Sequence, residues 1–465
     1  MPKNILIFAD GTGQAGGVRP DQQLSNIYKL FRATRIGPDS PIDPREQVAF
    51  YDPGLGTRVQ DGHVRLSIRQ AFKDLAGLAV GLGFSHNVID CYEAILERYE
   101  PGDRIFLFGF SRGGYTVRSV ANVLNLCGVP TTDGEGGPLP RKGKRLRAIA
   151  REAVVRVYEH GAGHPRKKFE GQREALARVF RRKYGAGEGE HRGEVYPEFV
   201  GVFDSVAALG LRWQIRLALT VIGLGGLALL AGAVAWAASA WFGWNGWGAF
   251  GIAVIGGVAG AIAAYLRSTL RWVSDELKRE APKWHVALWK SDHYDSLLDP
   301  RISHARHALA IDETRTQFGR VIWGGNANRQ QADELRFQQR WFAGNHSDIG
   351  GSYPEEESRL SDIALAWMVG EARMLPHPLL IDPSKLQLYP DASGPQHCEI
   401  FAQKQKAWWA RLVPWPSAPR QIKTDAVLDP TVYERFKAES VLMCDRKGAY
   451  RPESLRGHKK LPEFY

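Results

Sequence analysis

Short apolar runs alternate with helical spacings along most of the chain. Ile5-Leu-Ile-Phe8, Gln47-Val-Ala-Phe-Tyr51, Arg104-Ile-Phe-Leu-Phe108 and Glu198-Phe-Val-Gly-Val-Phe203 are nearly continuous in apolar residues. Runs of this length, bounded by turn residues, predict strands buried on both faces, as in a parallel sheet. Phe337-Gln-Gln-Arg-Trp-Phe342 is strand-like as well. Between these runs the period changes to that of a helix. Ser25 to Arg35 has it, and so does Asn87 to Tyr99, where Val88, Ile89, Cys91, Tyr92, Ile95 and Leu96 form one apolar face. Ala148 to Tyr158, Glu170 to Tyr184 and Leu360 to Leu375 predict further helices, and Arg306 to Arg315 reads as a helix or helix start. Strands alternating with helices predict an α/β fold, a mostly parallel sheet with helices on both faces.

One strand delivers a chemically suggestive turn. After Phe108 come Gly109-Phe-Ser-Arg-Gly113 and then a helical pattern through Tyr115, Val117, Val120 and Val123. This is the sequence form of a nucleophile elbow, in which a sharp strand-to-helix turn exposes a Ser hydroxyl and glycines relieve the crowding. With 50 glycines in 465 residues the pentapeptide alone is weak; the strand before it and the helix after it carry the reading. Three more polar loops follow predicted strands: Asp10-Gly11-Thr12-Gly13, Asp52-Pro-Gly-Leu-Gly-Thr57 and Asp204-Ser205. A fourth, Ala343-Gly-Asn-His-Ser-Asp-Ile-Gly-Gly351, has His346 near its centre. Strand-end loops form the site edge of an open α/β sheet.

A Ser hydroxyl needs an imidazole to take its proton and a carboxylate to fix the imidazole tautomer. Ser111, Asp204 and His346 occur in the chain order Ser, acid, His of α/β-hydrolases. His307 is the rival base, in the helical pattern, and Asp348 is too near His346 in sequence to be the first choice of acid. The Arg112 backbone N–H and one from the Gly11-Thr12 loop are the expected oxyanion donors, with Asp10 as a polar site residue.

The longest pattern is an absence of charge. From Leu217 to Leu266 there is no Asp, Glu, Lys, Arg or His. About 20 apolar residues cross a bilayer, so the stretch predicts a transmembrane hairpin, Leu217 to Trp241 and Trp247 to Leu266, inserted within 212–272. Trp241, Trp244 and Trp247 gather at the turn like an interfacial belt, and Gly256 and Gly260 offer a close-packing face. Arg212, Arg216, Arg267 and Arg271 flank the ends, which predicts an integral protein of the bacterial inner membrane with its catalytic domain cytoplasmic. Hydrolase portions then occupy 1–211 and 273–465.

Composition adds a net charge of +11 and a basic stretch at 140–195, suited to anionic head groups or to a solvated helical face. No recognition motif accompanies it, which disfavours nucleic acid as a partner. The four cysteines show no CxxC or zinc spacing and read as unpaired, mostly buried thiols, with no metal or cofactor implied. The N terminus enters a strand directly, so no cleaved signal peptide is expected.

Five blocks together resemble a known family: Phe8-Ala-Asp-Gly-Thr12, Tyr51-Asp-Pro-Gly-Leu-Gly-Thr57, Gly102 through Gly114, His307-Ala-Leu-Ala-Ile-Asp-Glu313 and Trp341 through Gly351. They are similar to the catalytic domain of type VI secretion phospholipase effectors with a G-x-S-x-G nucleophile motif. The resemblance implies an α/β-hydrolase fold and serine lipase or phospholipase chemistry, with Ser111 as nucleophile, Asp204 as acid and His346 as base. Gly114 departs from it, since the family usually has Ala there. The expected protein is a membrane-anchored serine hydrolase acting on lipid esters at a phospholipid membrane. The alternatives are a tethered esterase for soluble substrates and an inactive membrane scaffold.

Overall fold

The computed structural model describes residues 2–11, 14, 23–54, 82–187, 193–206, 243, 245–272, 284–287, 298, 301–316, 318–319, 336–405 and 416–465, with isolated positions between 225 and 241. The described strands are β1 (Asn4–Ala9), β2 (Gln47–Asp52), β3 (Arg104–Phe110), β4 (Phe199–Phe203), β5 (Leu270–Trp272), β6 (Trp284–Val286), β7 (His304–Ala310), β8 (Phe337–Phe342), β9 (Val441–Met443) and β10 (Arg446–Gly448). Six of them form one sheet in the order β2-β1-β3-β4-β7-β8, every pair parallel. All six carboxyl ends therefore lie on one edge, with β3 between β1 and β4.

Side-chain alternation along the central strands divides the core in two. Ile5, Ile7, Ile105, Leu107, Val200 and Val202 face one side, packed with residues of the helices Leu82–Arg98, Arg112–Cys127 and Lys144–Arg151. Leu6, Phe8, Phe106, Phe108, Phe199 and Phe203 face the other, against Ile27 and Leu30 of the helix Asn26–Thr34 and Leu360, Ile363 and Met368 of the helix Arg359–Arg373. That second face is a run of aromatic contacts: Phe8 stacks on Phe108 at 5.2 Å between ring centres, and Phe108 meets Phe199 at 5.4 Å. The predicted α/β layering is present. The basic stretch contributes Leu146, Ile149, Val154, Tyr158 and Phe180 to the first core. Several of its cations have acidic partners: Arg147 pairs with Asp90 and Glu93, and Arg145 with Asp133 and Glu135.

The structure corrects three expectations. Arg306 to Ala310 is strand, not helix: β7 lies between β4 and β8. Its polar residues gave it a helical appearance, but they are buried with partners, Arg306 on Glu371 at 2.6 Å and His307 Nε2 accepting from the Ser205 N–H at 3.2 Å.

The transmembrane hairpin is the second correction. No helix among the described residues is long and apolar enough to cross a membrane. Most of the first arm, Leu217–Trp241, lies outside the described residues. The second arm is within the helix Gly246–Thr269, where half of the residues are Gly or Ala. Integral placement in the inner membrane, with its cytoplasmic orientation, rested on that hairpin and falls with it.

Third, two cysteines are not free. Cys398 and Cys444 form a disulfide with Cα atoms 5.1 Å apart, whereas Cys91 and Cys127 are buried thiols. Residues 46 apart in sequence give no spacing cue, so the pairing was not legible. The bridge belongs to a C-terminal layer whose own core includes Leu428, Val432, Phe436, Tyr450 and Leu461, packed with Leu309 and Trp341.

Candidate functional site

The turn after β3 has the conformation the elbow requires. Ser111 has φ 57° and ψ −123°, outside the broad regions open to non-glycine residues, and caps the helix Arg112–Cys127. Such strain persists only where surroundings over-determine it. Here they do. A Cβ on Gly113 would stand 2.0 Å from the Ala9 carbonyl oxygen, and one on Gly109 would stand 2.5 Å from that of Gly113. The end of β1, the end of β3 and the helix start thus meet at a point with room for hydrogen alone. At Gly114 the clearance is larger, 3.0 Å to Ser205 Cβ, so an Ala there needs a small shift of its neighbour.

Backbone hydrogen bonds tie the elbow to the end of β4. The Ser111 N–H donates to the Phe203 carbonyl at 3.1 Å, and the Val206 N–H donates to the Ser111 carbonyl at 3.3 Å. Asp204, also left-handed at φ 37°, is fully buried there. Its Oδ2 accepts from His346 Nδ1 at 2.6 Å. His346 opens the helix His346–Gly350, capped reciprocally by Asn345 and Asp348. Phe110 and Phe318 flank the imidazole, with ring centres 4.7 and 4.9 Å away. Its Nε2 is buried and has no hydrogen-bond partner among the described residues.

The carboxylate of Asp204 is fully engaged. Besides His346 it accepts from the Ala310 N–H at 3.1 Å and from both terminal nitrogens of Arg420, Nη1 to Oδ1 at 2.6 Å and Nη2 to Oδ2 at 2.9 Å. Burial pushes this carboxyl up, but the Arg420 guanidinium and His346 outweigh it and hold it well below the usual carboxylate range. A second acid stands near: Glu313 Oε2 accepts from the His346 N–H at 3.3 Å and pairs with Arg315 at 2.6 Å.

On the other flank of β3, Asp10 is buried with neutral partners. It accepts from Ser25 Oγ at 2.5 Å, Tyr51 Oη at 2.7 Å and its neighbour's N–H, that of Gly11, at 2.7 Å. Burial raises it to about 6 despite these bonds. The Gly11 N–H, expected to help bind an oxyanion, is therefore directed at Asp10; Thr12 and the end of the Asp52–Thr57 loop lie outside the described residues. The Arg112 side chain has no ion-pair partner among the described residues, and burial lowers its guanidinium to about 10. Ser111, Asp204 and His346 thus cluster at one sheet edge, with the Asp204–His346 bond formed and no hydrogen bond between Ser111 and His346 among the described residues. Sequence reasoning missed Arg420, Glu313 and the Phe110–Phe318 flanks. Glu313 was within reach, as the last residue of the His307–Glu313 block; Arg420 carried no local cue.

Similarity to known proteins can now be set beside this geometry. A yeast protein, the uncharacterized YEL023C of Saccharomyces cerevisiae, is 28% identical over 213 residues, which is 45% of this chain and 27% of that protein. An uncharacterized protein from Pseudomonas aeruginosa of known crystal structure aligns over 84% of this chain and 48% of its own at 16% identity and a TM-score of 0.35. The Tle1 effector bound to the VgrG spike of the type 6 secretion system aligns over 77% and 53% at 17% identity and a TM-score of 0.29. The chain thus spans about a quarter of the yeast relative and about half of each solved chain. The family described as "T6SS, Phospholipase effector Tle1-like, catalytic domain" matches residues 3–238 and 257–371, which include all six sheet strands and the Ser111, Asp204 and His346 loops. Over most of its length, then, the chain belongs to the Tle1-like phospholipase effector catalytic-domain family of the type VI secretion system.

Proposed function

We propose that the chain is a serine ester hydrolase acting on phospholipids, with Ser111 as nucleophile, His346 as base and Asp204 as the carboxylate that orients it. The observation that carries this reading is the buried 2.6 Å Asp204–His346 bond beside a Ser held left-handed at a strand-to-helix turn. Family membership supports the phospholipid substrate.

Each part has a physical task. Asp204 accepts from Nδ1, which leaves Nε2 as the basic nitrogen. Ser111 Oγ attacks the acyl carbonyl carbon while its proton passes to Nε2. The carbonyl π-electrons move onto oxygen, which in this reading accepts from the Arg112 N–H. As the tetrahedral intermediate collapses, the ester C–O bond breaks and the leaving alcohol takes the proton from Nε2. Water then repeats the sequence and releases the fatty acid. The serine–imidazole contact is commonly long in unliganded enzymes and tightens with substrate. Nε2 is buried without a hydrogen-bond partner among the described residues, beside the rings of Phe110 and Phe318.

Phosphatidylcholine vesicles give the test. Fatty acid release by the wild-type chain should fall by about 10⁴-fold or more in Ser111→Ala. Equal release by both proteins removes Ser111 as nucleophile.

A further inference from the structure

The C-terminal segment beyond residue 371, which lies outside the family match, supplies one group to the site. Residues 416–420 run beside the loop after β7. The Ala418 N–H donates to the Thr314 carbonyl at 2.8 Å, the Thr316 N–H donates to the Pro416 carbonyl at 3.1 Å, and Arg315 and Ser417 form an antiparallel bridge. This register delivers the Arg420 side chain, 8% exposed, to the Asp204 carboxylate. Four hydrogen bonds fix the guanidinium: two to Asp204, one to the Ala310 carbonyl at 2.9 Å and one to the Phe318 carbonyl at 3.2 Å. Phe318 in turn packs edge-on against His346.

We infer that Arg420 is a positioning residue of the hydrolytic site, a bidentate clamp that sets both the angle and the charge of Asp204 as His346 sees it. The inference rests on the triad reading above.

Two consequences follow from the geometry. A planar fork bonded to both oxygens removes the rotation a carboxylate otherwise has, so its Oδ2 lone pair stays aimed at Nδ1. The cation also draws off part of the negative charge that would stabilise a protonated imidazole. The other charged groups around His346 act on the same ring: Glu313 and Arg315 from the loop after β7, and Asp348 on its own helix. Glu313 and Arg315 compensate each other at 2.6 Å, and Asp348 is bonded to His397 at 2.7 Å. Arg420 is thus the cation placed directly on the orienting carboxylate.

The experiment measures hydrolysis of a monomeric short-chain phosphatidylcholine by the full chain as a function of pH. Wild type, Ser111→Ala, Arg420→Ala and Arg420→Lys are compared. Arg420→Ala should lose about 10- to 100-fold in kcat with little change in KM, as for a misplaced catalytic group. Its acid limb in kcat/KM should move up by about half a pH unit or more, because the uncompensated carboxylate favours the imidazolium. Added guanidinium at millimolar concentration should restore part of the rate. Arg420→Lys keeps the charge but not the fork, so its rate should fall while its acid limb stays near wild type. If Arg420→Ala does not fold, the Lys variant carries the test through that split. Rates and limbs in the variants within twofold and a tenth of a unit of wild type overturn the inference, as does a rate loss with no limb shift and no rescue. Equal rates for wild type and Ser111→Ala would instead sink the triad reading itself.

Discussion

The two loops that flank the Ser111 strand carry the same residue in opposite electrostatic settings. Asp10 follows β1 on one side of β3, and Asp204 follows β4 on the other. Both are at most 2% exposed. Asp10 is held by hydroxyls and a backbone N–H, and burial raises it to about 6. Asp204 is held by an arginine and a histidine, and stays ionised far below the usual range. Burial alone therefore does not decide what a carboxylate can do; the charge of its partners does. Of these two loops, the Asp204 loop is the one with an anion bonded to an imidazole. That is the property an orienting acid needs, and it separates Asp204 from Asp10, although both follow strands and sit at the same sheet edge.

The contrast can be broken most sharply at Asp204. Asp204→Asn keeps the shape but replaces an acceptor with an amide that can hold the wrong imidazole tautomer, and kcat for phospholipid hydrolysis should fall by about 10⁴-fold. Loss of only a few fold, in a folded variant, would mean another group orients His346.

A smaller effect, of different kind, is expected at Asp10→Asn. The folded Asp10 binds its proton more tightly than the unfolded chain, about 6 against 3.8. Its contribution to stability is thus fully present below pH 3.8 and lost as pH rises through 6. The stability of wild type relative to Asp10→Asn should improve by about 2 kcal/mol between pH 7 and pH 4, read from denaturant midpoints. Asp204 has the opposite sign: its depressed value adds stability above the unfolded carboxylate range, lost only in stronger acid. A wild-type-minus-variant difference that stays flat between pH 7 and pH 4 would show that Asp10 is not held protonated by burial.

Much of this arrangement was legible in the chain. The runs that became β1, β3 and β4 are apolar on both faces because both faces are covered by helices, and periodicity reports that directly. The loops at Ser111, Asp204 and His346 were found by their place after such runs. What escaped shares one feature, dependence on partners distant in sequence. β7 looked helical because Arg306 and His307 are polar, and their buried partners, Glu371 and Ser205, lie 65 and 102 residues away. Arg420 reaches Asp204 from 216 residues away, and Cys398 meets Cys444 across 46. The uncharged stretch is a separate case: no helix among the described residues is long and apolar enough to cross a membrane.

The account stands on Ser111 being the atom that is acylated, and a fluorophosphonate probe reports this most directly. Treatment of the wild-type chain followed by peptide mass spectrometry should place a single phosphonyl adduct on Ser111, absent from Ser111→Ala and slowed in Asp204→Asn. An adduct on another residue, or none from a chain that still hydrolyses phosphatidylcholine, would contradict it.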